Sequence, residues 1–231
     1  MSYFIAIAGN VGVGKSELTK RLATKLGWQA FLEPAAQNPY LADFYEDMPR
    51  WAFHSQVFFL SHRLREHQSL LAKGEPAIQD RSVYENAEIF ARLLYKRGNL
   101  TERDWQTYYE LYHTIVALLP PPTLIIYLQA SVPTLVKRIA ERGRTFEQDI
   151  DVAYLTELNT YYDELAKTTK VAPLLCVPTD HRNFVQDDHE LEKLTSEIYR
   201  MLPMQQLPFA KSPAPATALA IPKPYAKVSA P

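Results

Sequence analysis

Five short apolar runs punctuate the chain: Tyr3–Ala8, Gln29–Glu33, Pro76–Asp80, Thr123–Gln129 and Pro173–Val177. Runs of this length between polar stretches predict strands. The segments between them change to a helical spacing. Ser16–Leu26 predicts one helix, and Arg50–Lys73 another, with Phe53, Val57, Leu60 and Leu64 on one stripe. A third, Thr101–Leu119, opens on Thr101-Glu102-Arg103-Asp104, a capping box, and closes at Pro120-Pro121-Pro122. Ser131 is the expected cap of a helix reaching Gly143, and Glu147–Lys167 and Asp188–Met201 complete the set. Strand and helix in alternation predict an α/β fold: a five-stranded parallel sheet flanked by helices on both faces. After Leu202 the pattern stops. Residues 203–231 are rich in Pro and Ala and have neither period, which predicts a disordered tail behind a domain at 1–202.

Composition narrows the setting. The chain has 231 residues, 47% of them hydrophobic, enough for one sizeable core. A net charge of −1 argues against a broad nucleic-acid or anionic-membrane surface. The single cysteine, Cys176, excludes an internal disulfide and suits a reducing compartment. No apolar run has the length of a membrane span, and a first strand starting by Tyr3 leaves no room for a leader. The expectation is a cytoplasmic protein with no nucleic-acid or membrane partner.

The candidate chemistry begins directly after the first strand. Gly9-Asn10-Val11-Gly12-Val13-Gly14-Lys15-Ser16 fits G-x-x-x-x-G-K-[ST] between a predicted strand and a predicted helix. Glycines let backbone amides turn inward, and the helix N-terminus adds its dipole, forming a cradle for phosphates. Lys15 would reach the outer phosphates, and the Ser16 hydroxyl would ligate magnesium. Three further groups fall at strand ends or nearby. Glu33 closes the second predicted strand and would point into the crevice beyond it, where it could take a proton from an attacking hydroxyl. Asp80 closes the third and could hold magnesium. Arg81 beside it could bind carboxylate or phosphate, or merely pair with Asp80. Arg138 and Arg142 share a helix face, with Arg144 beyond Gly143. They form either a basic lid over a triphosphate, with an anion between them, or a solvated basic helix end. Tyr45, Trp51, Phe53, Gln56 and Phe59 are either core or a platform for a base, with the Gln56 amide reading its edge. His62 and His67 do not share a face, and no zinc site is expected.

In combination these segments resemble a deoxynucleoside kinase of the bacterial deoxyadenosine/deoxyguanosine type. The segments are GNVGVGKSEL at 9–18, LEP at 32–34, NPYLADFYED at 38–47, RWAFHSQVFFLSHR at 50–63, DRSVYENAEIFA at 80–91 and RIAERGRTFEQDI at 138–150. The resemblance implies a P-loop kinase with an arginine-bearing lid. The implied reaction is ATP-dependent phosphorylation of a deoxynucleoside 5′-hydroxyl, with Mg2+ as cofactor and a homodimer as the assembly. Glu33 matches the general base. Arg81 matches the arginine that holds base and hydroxyl and contacts phosphate, and Asp80 the acidic magnesium partner. Tyr45 and Glu147 match the pair gripping the sugar 3′-hydroxyl, and Gln56 the reader of the base, with Arg63 beside it in the matching helix. Arg138, Arg142 and Arg144 match the lid arginines. Asn86 departs from the pattern, because purine-type members carry Asp there. A neutral amide disfavours guanine, whose ring NH and amine both want acceptors, so the expected nucleoside is deoxyadenosine.

Three other readings compete. A regulatory GTPase lacks support, since neither N-K-x-D nor a D-x-x-G switch follows the loop. A nucleoside monophosphate kinase of thymidylate kinase type should carry a cation where Glu33 stands, because a carboxylate repels an acceptor phosphate. A module that binds ATP only structurally would release no ADP. A pyrimidine or broad-specificity deoxynucleoside kinase remains the alternative within the resemblance.

Overall fold

The structure, a computed structural model, describes residues 3–33, 37–144, 147, 150–184 and 186–203. Strands β1 (Phe4–Gly9), β2 (Gln29–Phe31), β3 (Ala77–Asp80), β4 (Leu124–Gln129) and β5 (Leu174–Pro178) form one parallel sheet in the order β2-β3-β1-β4-β5. The central strand β1 is buried along its whole length, the pattern of a parallel strand covered on both faces. Its alternate residues go to different cores. Ile5 and Ile7 join Leu124, Ile126 and Leu128 on one face, while Ala6 and Ala8 join Ile125 and Tyr127 on the other.

Helices α1 (Lys15–Leu26) and α9 (Asp188–Met201) cover the first face. Helix α8 (Val152–Thr168) covers the second through Tyr154, Leu158 and Tyr162. A separate apolar cluster joins α2 (Leu41–Glu46), α3 (Met48–Lys73) and α6 (Glu102–Val116). Helix α7 (Val132–Arg142) lies beside the loop after β1. Among the described residues, no helix is long and apolar enough to cross a membrane.

All five strands fall where the apolar runs lie, but several boundaries differ. β2 stops at Phe31, two residues before Glu33. α6 has the expected Thr101 box, with Thr101 Oγ1 accepting from Asp104 N at 3.2 Å, but it ends at Val116, ahead of the three prolines. α8 starts at Val152, not Glu147, because Asp151 caps it and accepts from Ala153 N at 2.9 Å. Ser131 occupies the cap position of α7 without its side chain accepting from a backbone amide of the first turn; its hydroxyl bonds Asp180 and the side chain of Thr134 in that turn instead. The expected set also omits one element. After Asp80 the chain forms α4 (Val83–Glu85), a π-helical segment (Asn86–Ala91) and α5 (Arg92–Lys96). Its charged residues Glu85, Glu88, Arg92 and Lys96 recur at helical spacing, so the stripe is present in the sequence although the expected strands and helices do not include it. Of the expected tail, Pro203 accepts a hydrogen bond from the Tyr3 hydroxyl, and 204–231 lie outside the described residues.

Candidate active site

The carboxyl ends of β1, β2 and β3 open into one cavity of about 950 Å³. The loop after β1 forms its floor. Gly9 has φ +148°, and a Cβ there would meet Leu128 O at 2.7 Å. Gly12 has φ +83°, and a Cβ would meet Ile139 Cγ1 at 2.7 Å, so only glycine lets the loop seat against α7. Asn10 is tied to α8: its side chain donates to Leu155 O at 2.9 Å and Asn159 Oδ1 at 2.7 Å. Lys15 Nζ donates to Gly9 O at 2.7 Å and Asn10 O at 3.0 Å. Burial, then Arg81, lowers its pKa to about 8 against the pull of Asp80 and Glu33.

Ser16 donates its hydroxyl to Asp80 Oδ2, joining α1 to the end of β3. Asp80 is fully buried, and its other oxygen, Oδ1, has no partner. A hydroxyl and a buried carboxylate with a spare oxygen are hard donors that fit magnesium. Among the described residues, no cluster of three or more His, Cys, Asp or Glu side chains offers an all-protein metal cage.

Glu33 faces this floor from beyond β2. Arg81 Nε lies 3.3 Å and Arg63 Nη2 3.5 Å from its Oε1. Burial disfavours its charge, but Arg81, Arg63, Lys15 and Arg144 outweigh it and hold the carboxyl below its usual range, so Glu33 is anionic at neutral pH. Arg81 is held firmly. Its φ is +67°, a left-handed conformation that costs a non-glycine residue about 1 kcal/mol or more and is retained only when surroundings impose it. Its amide donates to Ile7 O at 2.9 Å, and its guanidinium lies 4.1 Å over the Phe90 ring. Glu85, which has no role assigned from sequence although Ser82-x-x-Glu85 has the spacing of a capping box, braces this corner. It is buried and accepts from Gly9 N at 3.2 Å, Ser82 N at 3.1 Å and the Tyr162 hydroxyl at 2.8 Å. Burial keeps its pKa raised.

The far end is lined by Phe44, Tyr45, Gln56, Phe59, Asn86, Phe90 and Tyr154. Gln56 Oε1 and Asn86 Oδ1 are buried without hydrogen-bond partners. Asn86 and Phe90 both come from the π-helical segment, whose wider turn brings them to the same wall. Of the predicted aromatic set, Tyr45, Gln56 and Phe59 line the cavity. Trp51 and Phe53 do not: Trp51 stacks on Tyr40, and Phe53 packs on the helical cluster. Desolvation raises the Tyr45 pKa well above its usual value, with Tyr154 and Glu147 adding to it.

The basic helix end is not a uniform lid. Arg138 is anchored, donating to Val13 O and Thr179 Oγ1 at 3.1 Å and to Thr179 O at 2.7 Å. Arg142 and Arg144 instead meet at Glu147, whose buried carboxylate is the anion the charge pattern called for, placed between Arg142 and Arg144 rather than Arg138 and Arg142.

A loop that wraps phosphates at the end of the central strand of a parallel sheet, facing a carboxylate across one cavity, defines the class as a P-loop kinase. The chain belongs to the deoxynucleoside kinase family, whose model matches residues 5–203. It is 36% identical over 196 residues to the deoxyadenosine/deoxycytidine kinase of Bacillus subtilis, covering 84% of this chain and 90% of that protein. To the deoxyguanosine kinase of the same organism it is 33% identical, with 86% and 97% covered. Among solved structures it is similar to deoxyadenosine kinase from M. mycoides with bound dATP, at TM-score 0.73 and 32% identity, covering 85% of this chain and 99% of that one.

Proposed function

We propose that this deoxynucleoside kinase transfers the γ-phosphoryl group of ATP to the 5′-hydroxyl of a purine deoxynucleoside, deoxyadenosine being preferred. The observation that carries this reading is the anionic Glu33, fixed between Arg63 and Arg81 and facing the phosphate loop inside one cavity. Glu33 accepts the 5′-hydroxyl proton as that oxygen bonds to the γ-phosphorus. The bond to the β–γ bridging oxygen breaks, and ADP leaves. Arg81 orients Glu33 and the incoming oxygen. Lys15, Arg138, Arg142 and Arg144 offset the charge on the phosphates. Ser16 and Asp80 would hold Mg2+, which supplies charge neutralisation on the β- and γ-phosphate oxygens. Tyr45 and Glu147 hold the 3′-hydroxyl.

Gln56 and Asn86 face the base. Adenine presents an amine beside a ring nitrogen acceptor, and two neutral amides can both accept from and donate to that edge. Guanine presents two adjacent donors and a carbonyl, which a pair of neutral amides matches less well. Exposed Leu71 on α3 and Leu111 on α6 support a homodimer built on these long helices, which sedimentation would test.

One panel tests the substrate. With magnesium and ATP, each of the four deoxynucleosides and the matching ribonucleosides is compared by kcat/KM. Deoxyadenosine is expected to rank first. Deoxyguanosine or a pyrimidine ranking above it overturns the base assignment, and no ADP release with any of them overturns the reaction.

A further inference from the structure

Behind Glu33, on the side away from the cavity, stands a second carboxylate with no part in the reaction proposed above. Glu66 lies one turn beyond Arg63 on α3, and its side chain is only 10% exposed. Its Oε2 accepts from Arg63 Nη1 at 2.8 Å and from Gln79 Nε2, on β3, at the same distance. Its other oxygen lies 3.4 Å from His62 Nδ1. Arg63 in turn is 1% exposed, does not line the cavity, and has its remaining Nη2 directed at Glu33. A guanidinium sealed in this way has two carboxylates to choose between. Without Glu66 it would carry its charge against Glu33 alone and lose the strut that fixes its plane.

We infer that Glu66 is a positioning residue for phosphoryl transfer: through Arg63 it sets the orientation of the Glu33 carboxylate. The chain of contacts runs from β3 through Gln79 and Glu66 to Arg63 and then to Glu33, so the sheet itself braces a side chain that stands beyond the end of its own strand. Arg81 approaches the same Glu33 oxygen from the end of β3. The carboxylate is thus held between two arginines, each referred to that one strand. Displacement of a reacting group by about 1 Å costs on the order of 10²-fold in rate, which sets the scale for loss of one brace.

The inference rests on Glu33 as the base, and the experiment separates the two. Single-turnover rate and nucleoside KM are measured for Glu66→Leu, Glu66→Gln, Arg63→Leu, the Arg63→Leu/Glu66→Leu pair and Glu33→Gln. Glu66→Leu is expected to lower the transfer rate by about tenfold or more with KM changed less than about threefold. Glu66→Gln, whose amide oxygen can accept both bonds now made at Oε2, is expected to stay within about threefold of the parent. The double variant removes both buried charges together, so it is expected to fold even where Glu66→Leu, which leaves Arg63 with Glu33 as its remaining carboxylate partner, does not. Its rate should equal that of Arg63→Leu, because Glu66 acts only through that arginine. A Glu66→Leu protein with parental rate, a loss appearing in KM alone, a Glu66→Gln protein as slow as Glu66→Leu, or a double variant well below Arg63→Leu overturns the inference and leaves the base assignment standing. A fast Glu33→Gln enzyme overturns both.

Discussion

At the phosphate end of the cavity Lys15, Ser16 and Arg138 already have protein partners and Asp80 Oδ1 is a buried oxygen open to a cation, whereas at the far end two buried amide oxygens, Gln56 Oε1 and Asn86 Oδ1, have no protein partner. Lys15 bonds two carbonyls of its own loop, Ser16 bonds Asp80, and Arg138 bonds Val13 and Thr179. The phosphates of every nucleotide are alike, so backbone, glycine geometry and a few charges can be set in advance. The nucleoside varies, so the groups that discriminate are left with bonding capacity that only a ligand fills. An unpaired buried amide costs about 1–3 kcal/mol, and a base that satisfies it recovers that amount, so in the proposed reading specificity is decided at the far end.

The largest break in this comparison comes from Glu33, which stands between the two ends. Glu33→Gln keeps the shape of the nucleoside site and removes the proton acceptor. The turnover number is expected to fall by about 10²–10⁴-fold while the nucleoside dissociation constant changes little. Near-normal turnover would sink the assignment. Next comes Glu147. Its carboxylate serves Arg142 and Arg144 and lines the cavity, and in the proposed reaction it also holds the sugar 3′-hydroxyl. A substrate lacking the 3′-hydroxyl should lose about 10²-fold in kcat/KM, since a site built to bond a hydroxyl rejects its absence strongly. Equal turnover of the two substrates means that Glu147 serves the arginines alone. A smaller effect is expected at the base. Asn86→Asp restores a charged acceptor and should move the deoxyguanosine-to-deoxyadenosine ratio of kcat/KM upward by about tenfold. An unchanged ratio would assign the discrimination to Gln56 or to cavity shape.

The same contrast explains what could be seen in the sequence. The phosphate end was legible because its work is done by backbone, and backbone conformation leaves a local signature: glycines at fixed spacing, then Lys15 and Ser16, between an apolar run and a helical one. The strands were legible as short apolar runs: β1, β3 and β4 are buried inside the parallel sheet, and β2 and β5, its half-exposed edges, keep the same length and turn-bounded pattern. The far end is assembled from α2, α3, the π-helical segment and α8, and no local pattern records that Tyr45, Gln56, Asn86 and Tyr154 meet. Resemblance to a family supplied Tyr45, Gln56 and Glu147. It assigned no role to Glu85, a buried carboxylate whose partner Ser82 is local but whose partners Gly9 and Tyr162 lie 76 and 77 residues away. The split of the basic helix end also escaped. Two arginines at helical spacing and a third just past the helix end look equivalent until Thr179 takes Arg138 and Glu147 the other two.

The smallest effect tests whether the phosphate end is as self-satisfied as its contacts indicate. Lys15, buried and close to Arg81, has a pKa of about 8 in the free protein. At pH 8.5 about three-quarters of the enzyme therefore carries it neutral, and at pH 7 about one-tenth does. A bound triphosphate places negative charge against the ammonium and raises its pKa, so binding takes up protons at any pH between the free and bound values. Calorimetric titration of ATP in two amine buffers of different ionisation enthalpy measures this directly. With the ATP saturated by magnesium, so that its γ-phosphate carries no proton to release over this interval, uptake of well over half a proton per site is expected at pH 8.5, and of about one-tenth at pH 7. The sign is specific to a cation of lowered pKa: Glu33, whose carboxyl is held below its usual range, would take up protons only toward acid pH and contribute little at 8.5. Uptake that grows from pH 7 to 8.5 fits a lysine released from Gly9 and Asn10 to meet the phosphates. Uptake that stays flat or shrinks over that interval means that Lys15 is already fully charged in the free enzyme, and the contrast between a preset phosphate end and an open base end would then rest on hydrogen bonds alone.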